Sequence, residues 1–107
     1  MDTQTLSKRI HENAAAKGFW DAPNFWDQIG NKLALVHSEV TELLEALRKG
    51  QGTAKTADEF ADIFIRLLDL WHVLQEHGYV EGDLDLAIIN KVEVNEGREP
   101  LHGNVFG

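Results

Sequence analysis

The chain has 107 residues, which suffices for one domain with a single small core. Its formal net charge is −8 with only 10 Lys and Arg residues, which argues against binding to a nucleic-acid backbone. It contains no cysteine, which excludes disulfides, thiolate metal sites and thiol nucleophiles. The N-terminus is polar rather than signal-like, and no window approaches about 18 uninterrupted apolar residues. We therefore expect a soluble, cytoplasmic protein that binds neither nucleic acid nor membrane.

The first half of the sequence predicts two helices. A short first helix runs from about Thr3 to Lys17 and ends at Gly18, the usual kind of residue just past a helix. A longer second helix runs from about Asn24 to Lys49, with Asn24 as its N-cap and Gly50 as the residue that ends it. Its apolar residues recur at spacings of three and four, which predicts one buried stripe: Ile29, Leu33, Val36, Val40, Leu43 and Leu47.

The second half predicts two more helices and no convincing strand. Residues 50–53 form a short flexible connection, typical of an antiparallel helix pair. The third helix runs from about Ala57 to Glu76, stops at Gly78 and has a predicted apolar stripe of Phe60, Phe64, Leu67, Leu68, Trp71 and Leu74. The fourth runs from about Asp83, its N-cap, to Gly97, with a predicted buried line of Leu84, Ile88 and Val92. Because residues 98–107 read as an irregular tail, we expect one all-α domain over residues 1–107.

Two pairs of carboxylates lie on the flanks of the predicted stripes. Glu39 and Glu42 are three residues apart and point to the same side of the second helix. Glu59 and Asp62 repeat this spacing on the third helix. Either pair alone is usually a solvated face, and Arg66 would make an ordinary surface salt bridge with Asp62. On two antiparallel helices, however, the four groups can meet, and such a cluster is unfavourable without a cation. Oxygen ligands favour Mg²⁺, with Mn²⁺ as an alternative.

The carboxylate segments resemble a known signature. Glu39-Val40-Thr41-Glu42 followed by Glu59-Phe60-Ala61-Asp62 is similar to the ExxE…ExxD motif of the MazG-like all-α nucleoside triphosphate pyrophosphohydrolases. The next block resembles that superfamily's lysine, asparagine and arginine segment with a terminal His-Gly, and consists of Lys91, Asn95, Arg98, Pro100, His102 and Gly103. A basic residue often follows the His-Gly pair, whereas this chain has Asn104. The resemblance covers about Asn24 to Gly103.

The resemblance implies a reaction and an assembly. The four carboxylates would bind Mg²⁺ and carry catalysis, with the identity of the general base left open. The phosphate contacts would come from Lys91, Asn95 and Arg98. The reaction would hydrolyse a (deoxy)nucleoside triphosphate between its α and β phosphates, giving the monophosphate and pyrophosphate, and would serve nucleotide-pool house-cleaning. Family members are helical homodimers or homotetramers with shared bundles, so oligomerisation would complete the expected four-helix-type bundle.

Aromatic residues crowd the predicted turn between the first two helices. Phe19, Trp20 and Trp26 would either stack a nucleobase or cap the core. Trp20 is the first choice for stacking because it sits in the turn itself. The sequence therefore predicts base recognition at this end of the second helix.

Two other functions remain open from the sequence. A non-catalytic helical oligomer that binds nucleotides or protein partners would use the same scaffold. A di-iron carboxylate bundle requires Glu-x-x-His on two helices, and this chain offers the single imperfect match Asp69-x-x-His72. Iron is therefore the less favoured metal.

Overall fold

Helices make up nearly all the regular structure of the chain. A computed structural model describes residues 2–98 and places four helices in that part: α1 (Thr3–Ala16), α2 (Phe25–Arg48), α3 (Thr53–Glu76) and α4 (Leu84–Glu96). No strand occurs within residues 2–98, so the prediction of an all-α chain is confirmed. None of the described helices combines the length and apolar character that a bilayer crossing requires.

Three helices begin at a residue whose side chain caps the exposed backbone N–H groups. Asp2 accepts a hydrogen bond from the backbone N–H of Thr5 at 2.6 Å, ahead of α1. Asn24 accepts from Asp27 N at 3.0 Å, ahead of α2. Asp83 likewise caps α4. Such side chains satisfy donors that have no partner within the helix, and the predicted caps Asn24 and Asp83 are confirmed.

Helix α3 begins at Thr53, one turn earlier than the predicted start at Ala57. Gly52 takes φ of 96° there, a conformation that suits glycine, and makes no side-chain cap. The Thr56 hydroxyl instead donates to the Gly52 carbonyl at 2.8 Å. Because no side chain caps this start, no sequence signal marks it. The extra turn places Lys55 on the helix, four residues before Glu59.

Helix α3 is the centre of the arrangement. It packs against α2 on one side and α1 on another, while α4 packs against α1. Ser7 of α1 is fully buried and its hydroxyl donates to the Leu68 carbonyl of α3. At the base of α4, the Asp85 carboxylate accepts a hydrogen bond from the Thr3 hydroxyl at 2.8 Å. Polar contacts therefore fix α1 against both α3 and α4.

A buried carboxylate joins four segments of the chain. Asp69 of α3 is 5% exposed, and its oxygens lie 2.8 Å from His11 Nδ1 of α1 and 3.0 Å from the indole N–H of Trp20. Lys32 of α2 is also buried, and its ammonium donates to the Phe19 carbonyl. Burial lowers the pKa of Lys32 below its usual value, and the Asp69 charge opposes that shift. Buried charges need such partners, since isolated ones are costly.

The apolar core of the single chain is small. Ile29, Leu70 and Val73 form a buried cluster, with Trp20, Phe25 and Leu74 packed against it. The inward edge of α3 also carries the charged Glu59 and Asp69. The pair α2 and α3 therefore meets along edges that are partly polar, and much of the apolar surface of both helices lies elsewhere.

The predicted buried stripes are wrong for most of their members. Ile29 and Leu68 are buried, and Val36, Leu43, Trp71, Leu74 and Leu84 are half-buried. The exposed members are Leu33, Val40, Leu47, Phe60, Phe64, Leu67, Ile88 and Val92. The periodicity located apolar faces correctly, but within the described chain those faces have nothing packed over them. Which face turns inward is decided by the polar contacts around Asp69 and Glu59.

We predict that Asp69→Asn lowers the free energy of unfolding by about 1.5–3 kcal/mol, because it replaces charge-assisted hydrogen bonds with neutral ones beside the buried Lys32. Urea unfolding followed by circular dichroism measures the change. Asp58→Asn is the matched control, since Asp58 is exposed on the same helix, and it should stay within about 0.5 kcal/mol of the parent. Equal stability of the two variants would contradict the role given to Asp69.

Candidate metal centre

Three carboxylates of α2 and α3 converge on one place. Glu39 of α2 and Glu59 and Asp62 of α3 each offer a carboxylate oxygen, and the three oxygens lie within 4.8 Å of one another. The short connection after α2 folds α3 back along it, so residues distant in sequence face each other. We call these three residues the carboxylate cluster. The structure thus brings together three of the four predicted ligands.

Glu59 is the most enclosed member, with 4% of its surface exposed. Its carboxylate lies 2.8 Å from the Lys55 ammonium, one turn earlier on α3. That hydrogen bond and charge raise the pKa of Lys55 above its usual value. A buried carboxylate is costly without a positive partner, and Lys55 supplies one from a half-exposed position. The buried Glu59 carboxylate therefore favours a positive charge beside it.

Glu39 has a partner across the helix pair. The Arg66 Nε of α3 lies 3.4 Å from a Glu39 carboxylate oxygen. The sequence suggested an Arg66–Asp62 salt bridge along one helix, but Arg66 pairs with Glu39 of α2 instead. This cross-helix contact holds the Glu39 side chain against α3.

Glu42 lies at the margin of the site. Its side chain is exposed and it does not belong to the carboxylate cluster. Its charge is the smallest of the contributions that raise the pKa of Lys55, so it adds to the negative charge around that lysine. The spacing of three from Glu39 aligned the two residues along α2, but the path of α3 determines which of them the other helix approaches.

The donor set of the carboxylate cluster suits a hard divalent cation. All three donors are oxygens, and Mg²⁺ prefers oxygen ligands while retaining several waters. Asp62 and Glu42 are exposed, so one side of the carboxylate cluster is open to solvent. The residues present therefore fit Mg²⁺ or Mn²⁺ better than a metal that prefers nitrogen or sulfur.

The three predicted aromatic residues occupy different environments. Trp20 is half-buried, donates its indole N–H to Asp69 and has the Lys32 ammonium 4.7 Å from its ring centroid. Phe19 and Trp26 are more than half exposed. Trp26 contacts Tyr79 edge-on, with ring centroids 5.2 Å apart. Trp20 is thus tied into the fold along its polar edge, whereas Phe19 and Trp26 are more accessible to solvent.

The predicted phosphate-binding residues lie on α4 or just after it. Lys91, Asn95 and Arg98 are exposed. Helix α4 packs against α1 and, within residues 2–98, makes no close backbone contact with α2 or α3. Its apolar residues line a groove with Phe64 and Trp71, on a different side of α3 from the carboxylates that face α2. The intrachain packing therefore does not assemble α4 with the carboxylate cluster, and Pro100, His102, Gly103 and Asn104 lie outside the described residues.

Sequence reasoning missed Lys55, the partner of Glu59, and the buried Lys32 near Asp69. Lys55 and Glu59 are four residues apart, which is a recognisable helical ion pair, but the late predicted start of α3 left Lys55 in a loop. Lys32 lies three residues after Ile29 and shares its buried face. A lysine on a buried helix face predicts a polar group nearby that pairs with its ammonium. Asp69 and His11 gave no spacing signal, because they come from different helices.

The chain was compared with known proteins. No family model, curated protein or solved structure matches it.

Proposed function

We propose that the chain is a Mg²⁺-dependent nucleoside triphosphate pyrophosphohydrolase with a MazG-like helical architecture. The observation that carries this proposal is the convergence of Glu39, Glu59 and Asp62 from two helices within 4.8 Å. Glu59 is enclosed and Asp62 is exposed, so a cation held by these oxygen ligands would remain accessible from solvent. The resemblance of both carboxylate segments to the family signature supports the same conclusion.

The cation and the protein side chains would have different roles in the reaction. Mg²⁺ bound at the carboxylate cluster would neutralise the triphosphate and lower the pKa of a coordinated water. Glu39 and Glu59 are held by Arg66 and Lys55 and would orient the site. Asp62 is exposed and can take a proton from water, as can Glu42 at the margin. One of these carboxylates acts as general base.

Lys55 has a second role in this proposal. Its side chain is half-exposed and its ammonium occupies the neighbourhood of Glu59. A divalent cation at the cluster would supply the positive charge that Glu59 requires, and the flexible lysine stem would then be free to turn toward solvent and contact a phosphate. Lys91, Asn95 and Arg98 would supply further phosphate contacts, and Phe19, Trp20 or Trp26 the base contact.

The first test is turnover. With Mg²⁺, purified protein should release pyrophosphate rather than orthophosphate from at least one member of a panel of standard, deoxy and modified nucleoside triphosphates. Removal of divalent cations with EDTA should abolish release, and added Mg²⁺ should restore it. A broad panel with no turnover would count against the enzyme. Mg²⁺-dependent binding of a triphosphate without product would favour the non-catalytic alternative.

The second test separates the carboxylate cluster from other acidic residues. Glu59→Gln and Asp62→Asn should each lower kcat/KM by at least about 100-fold, since each removes a cation ligand or proton acceptor. Glu45→Gln is the matched control, because Glu45 pairs along its own helix with Arg48 at 3.5 Å and Lys49 at 3.6 Å. It should keep the parent activity. Unchanged turnover in a folded cluster variant would reject that residue's role.

We also infer that a second copy of the chain covers the outer apolar face. That face is made by exposed residues of the α2–α3 pair: Leu33, Val40, Leu44, Leu47, Phe60, Phe64 and Leu67. Leu47 and Phe60 both line a pocket beside the turn between the helices. Phe64 and Leu67 line a groove together with Leu84 and Ile88 of α4. Continuous apolar surfaces of this kind are unusual on monomers, and the small buried core leaves a single chain marginal.

The pattern of apolar residues on this face suits a second copy of the chain. Its residues repeat at helical spacings on two neighbouring helices, so two such pairs can pack as helix on helix around a common axis. The assembly would be a homodimer or homotetramer. It would also give α4 of one copy a route to the carboxylate cluster of another, which the intrachain packing does not provide.

We predict that the parent chain sediments as a dimer or larger species at micromolar concentration, and that Phe64→Glu shifts it to monomer by placing a charge in the apolar face. Sedimentation velocity over a concentration series measures this. Asn31→Glu adds the same charge at an exposed polar position of α2 and should leave the assembly unchanged. A monomeric parent chain would refute the proposed assembly without touching the carboxylate chemistry.

A further inference from the structure

A second group of metal-ligating side chains lies between α1 and α3. His11 of α1 and His72 and Glu76 of α3 each offer a ligand atom, and these atoms lie within 4.8 Å of one another. The two imidazole rings stack with centroids 4.8 Å apart. His72 Nε2 lies 3.4 Å from a Glu76 carboxylate oxygen, one turn further along α3. We call these three residues the histidine cluster.

The buried Asp69 carboxylate prepares His11 for metal binding. It lies 2.8 Å from His11 Nδ1 and also accepts the Trp20 indole N–H, which fixes its position. A carboxylate bound to Nδ1 favours the tautomer with its proton on that nitrogen, which leaves the Nε2 lone pair available. Metal-bound histidines commonly have such a carboxylate partner, and it raises the basicity of the ligating nitrogen. This contact is independent of the spacing of the cluster.

We propose that the histidine cluster is a binding site for a borderline divalent metal ion such as Zn²⁺, which clips α1 to α3. Two imidazole nitrogens and one carboxylate are a ligand set used by zinc, with water in the remaining position. Imidazole ligands favour zinc and its neighbours over Mg²⁺, which prefers oxygen. The histidine cluster therefore differs in chemistry from the carboxylate cluster, and it does not depend on the proposed enzymatic function.

The side chains must move to hold an ion. Ligand atoms about 2.0–2.1 Å from a tetrahedral zinc ion lie roughly 3.4 Å from each other, whereas the cluster spans up to 4.8 Å. A metal ion also lies in the plane of each imidazole that ligates it, and the His11 and His72 rings are stacked. His11 is held by Asp69, so the His72 ring must rotate out of the stack. Glu76 has 56% of its side chain exposed and can change rotamer to follow it.

A metal at this place would reinforce a contact that the fold already uses. Helix α1 is held to α3 by the buried Ser7 hydroxyl and by His11 on Asp69. An ion shared by His11 and His72 adds a third connection between the same two helices. A ligand that binds the folded chain alone raises its stability in proportion to the logarithm of its concentration. The site should therefore stabilise the protein without being required for the helices to form.

The test uses the full chain, stripped of metal with EDTA and kept in excess Mg²⁺ so that the carboxylate cluster is occupied. Zn²⁺ titrated into it should bind with about one ion per chain by calorimetry and raise the melting temperature. Co²⁺ should produce visible absorption bands typical of nitrogen ligation. Glu76→Gln and His72→Gln should each weaken Zn²⁺ binding by at least about 10-fold. Glu76 is largely exposed, so its variant tests the site even where a buried substitution would disturb the fold.

Two matched variants show whether binding belongs to this cluster. His37→Gln removes an exposed histidine of α2 and Glu59→Gln removes the centre of the carboxylate cluster, and both should bind Zn²⁺ as the parent does. Equal weakening in His37→Gln, or unaltered binding in Glu76→Gln and His72→Gln, would overturn the proposal. So would a parent chain that fails to bind micromolar Zn²⁺. Loss of triphosphate turnover in Glu59→Gln with Zn²⁺ binding intact would show that the two sites are separate.

Discussion

The burial of Asp69 determines how α1, the turn after it and α2 pack against α3. A carboxylate that is 5% exposed must receive hydrogen bonds and positive charge, because its desolvation is otherwise uncompensated. His11 and Trp20 supply the hydrogen bonds, and Lys32 supplies the charge. These residues come from α1, from the turn after it and from α2. Satisfying one side chain of α3 therefore fixes the position of every segment that packs around it, and sets the rotation of α3 about its own axis.

That rotation determines which charged side chains of α3 face α2. With Asp69 turned inward, Glu59 and Arg66 of the same helix also face α2, and Glu39 of α2 meets them there. The carboxylate cluster is thus a consequence of how the helix pair is held, and not of the spacing within either helix alone. The same rotation turns Phe60 and Phe64 outward. The orientation of α3 therefore both buries Glu59 and exposes Phe60 and Phe64. The proposed site and the proposed assembly depend on this same orientation.

The sequence predicted the helices far better than it predicted their faces. Periodicity, the caps at Asn24 and Asp83 and the glycines after each helix sufficed to place the elements, because these signals are local. They failed at Thr53, where the helix starts without a capping side chain. The faces depend on pairs such as Glu39–Arg66 and His11–Asp69, which lie far apart in sequence and have no periodic signature. The carboxylate spacing predicted three residues that do converge, whereas the placing of Glu42 outside the group required the path of α3.

The two proposed metal sites lie at different edges of α3 and differ in their ligand atoms. Zinc binds most ligand sets more tightly than Mg²⁺ does, so an oxygen site alone has little protection against it. In this chain a nitrogen-rich alternative lies further along α3, toward α1, where Asp69 already orients one imidazole. Zinc in small amounts would then occupy the histidine cluster first, because imidazole suits it better than carboxylate does. Asp69 belongs to neither ligand set, and its contact with His11 orients one member of the histidine cluster. A helix that must turn one charged residue inward thereby presents two different ligand sets to two different neighbours.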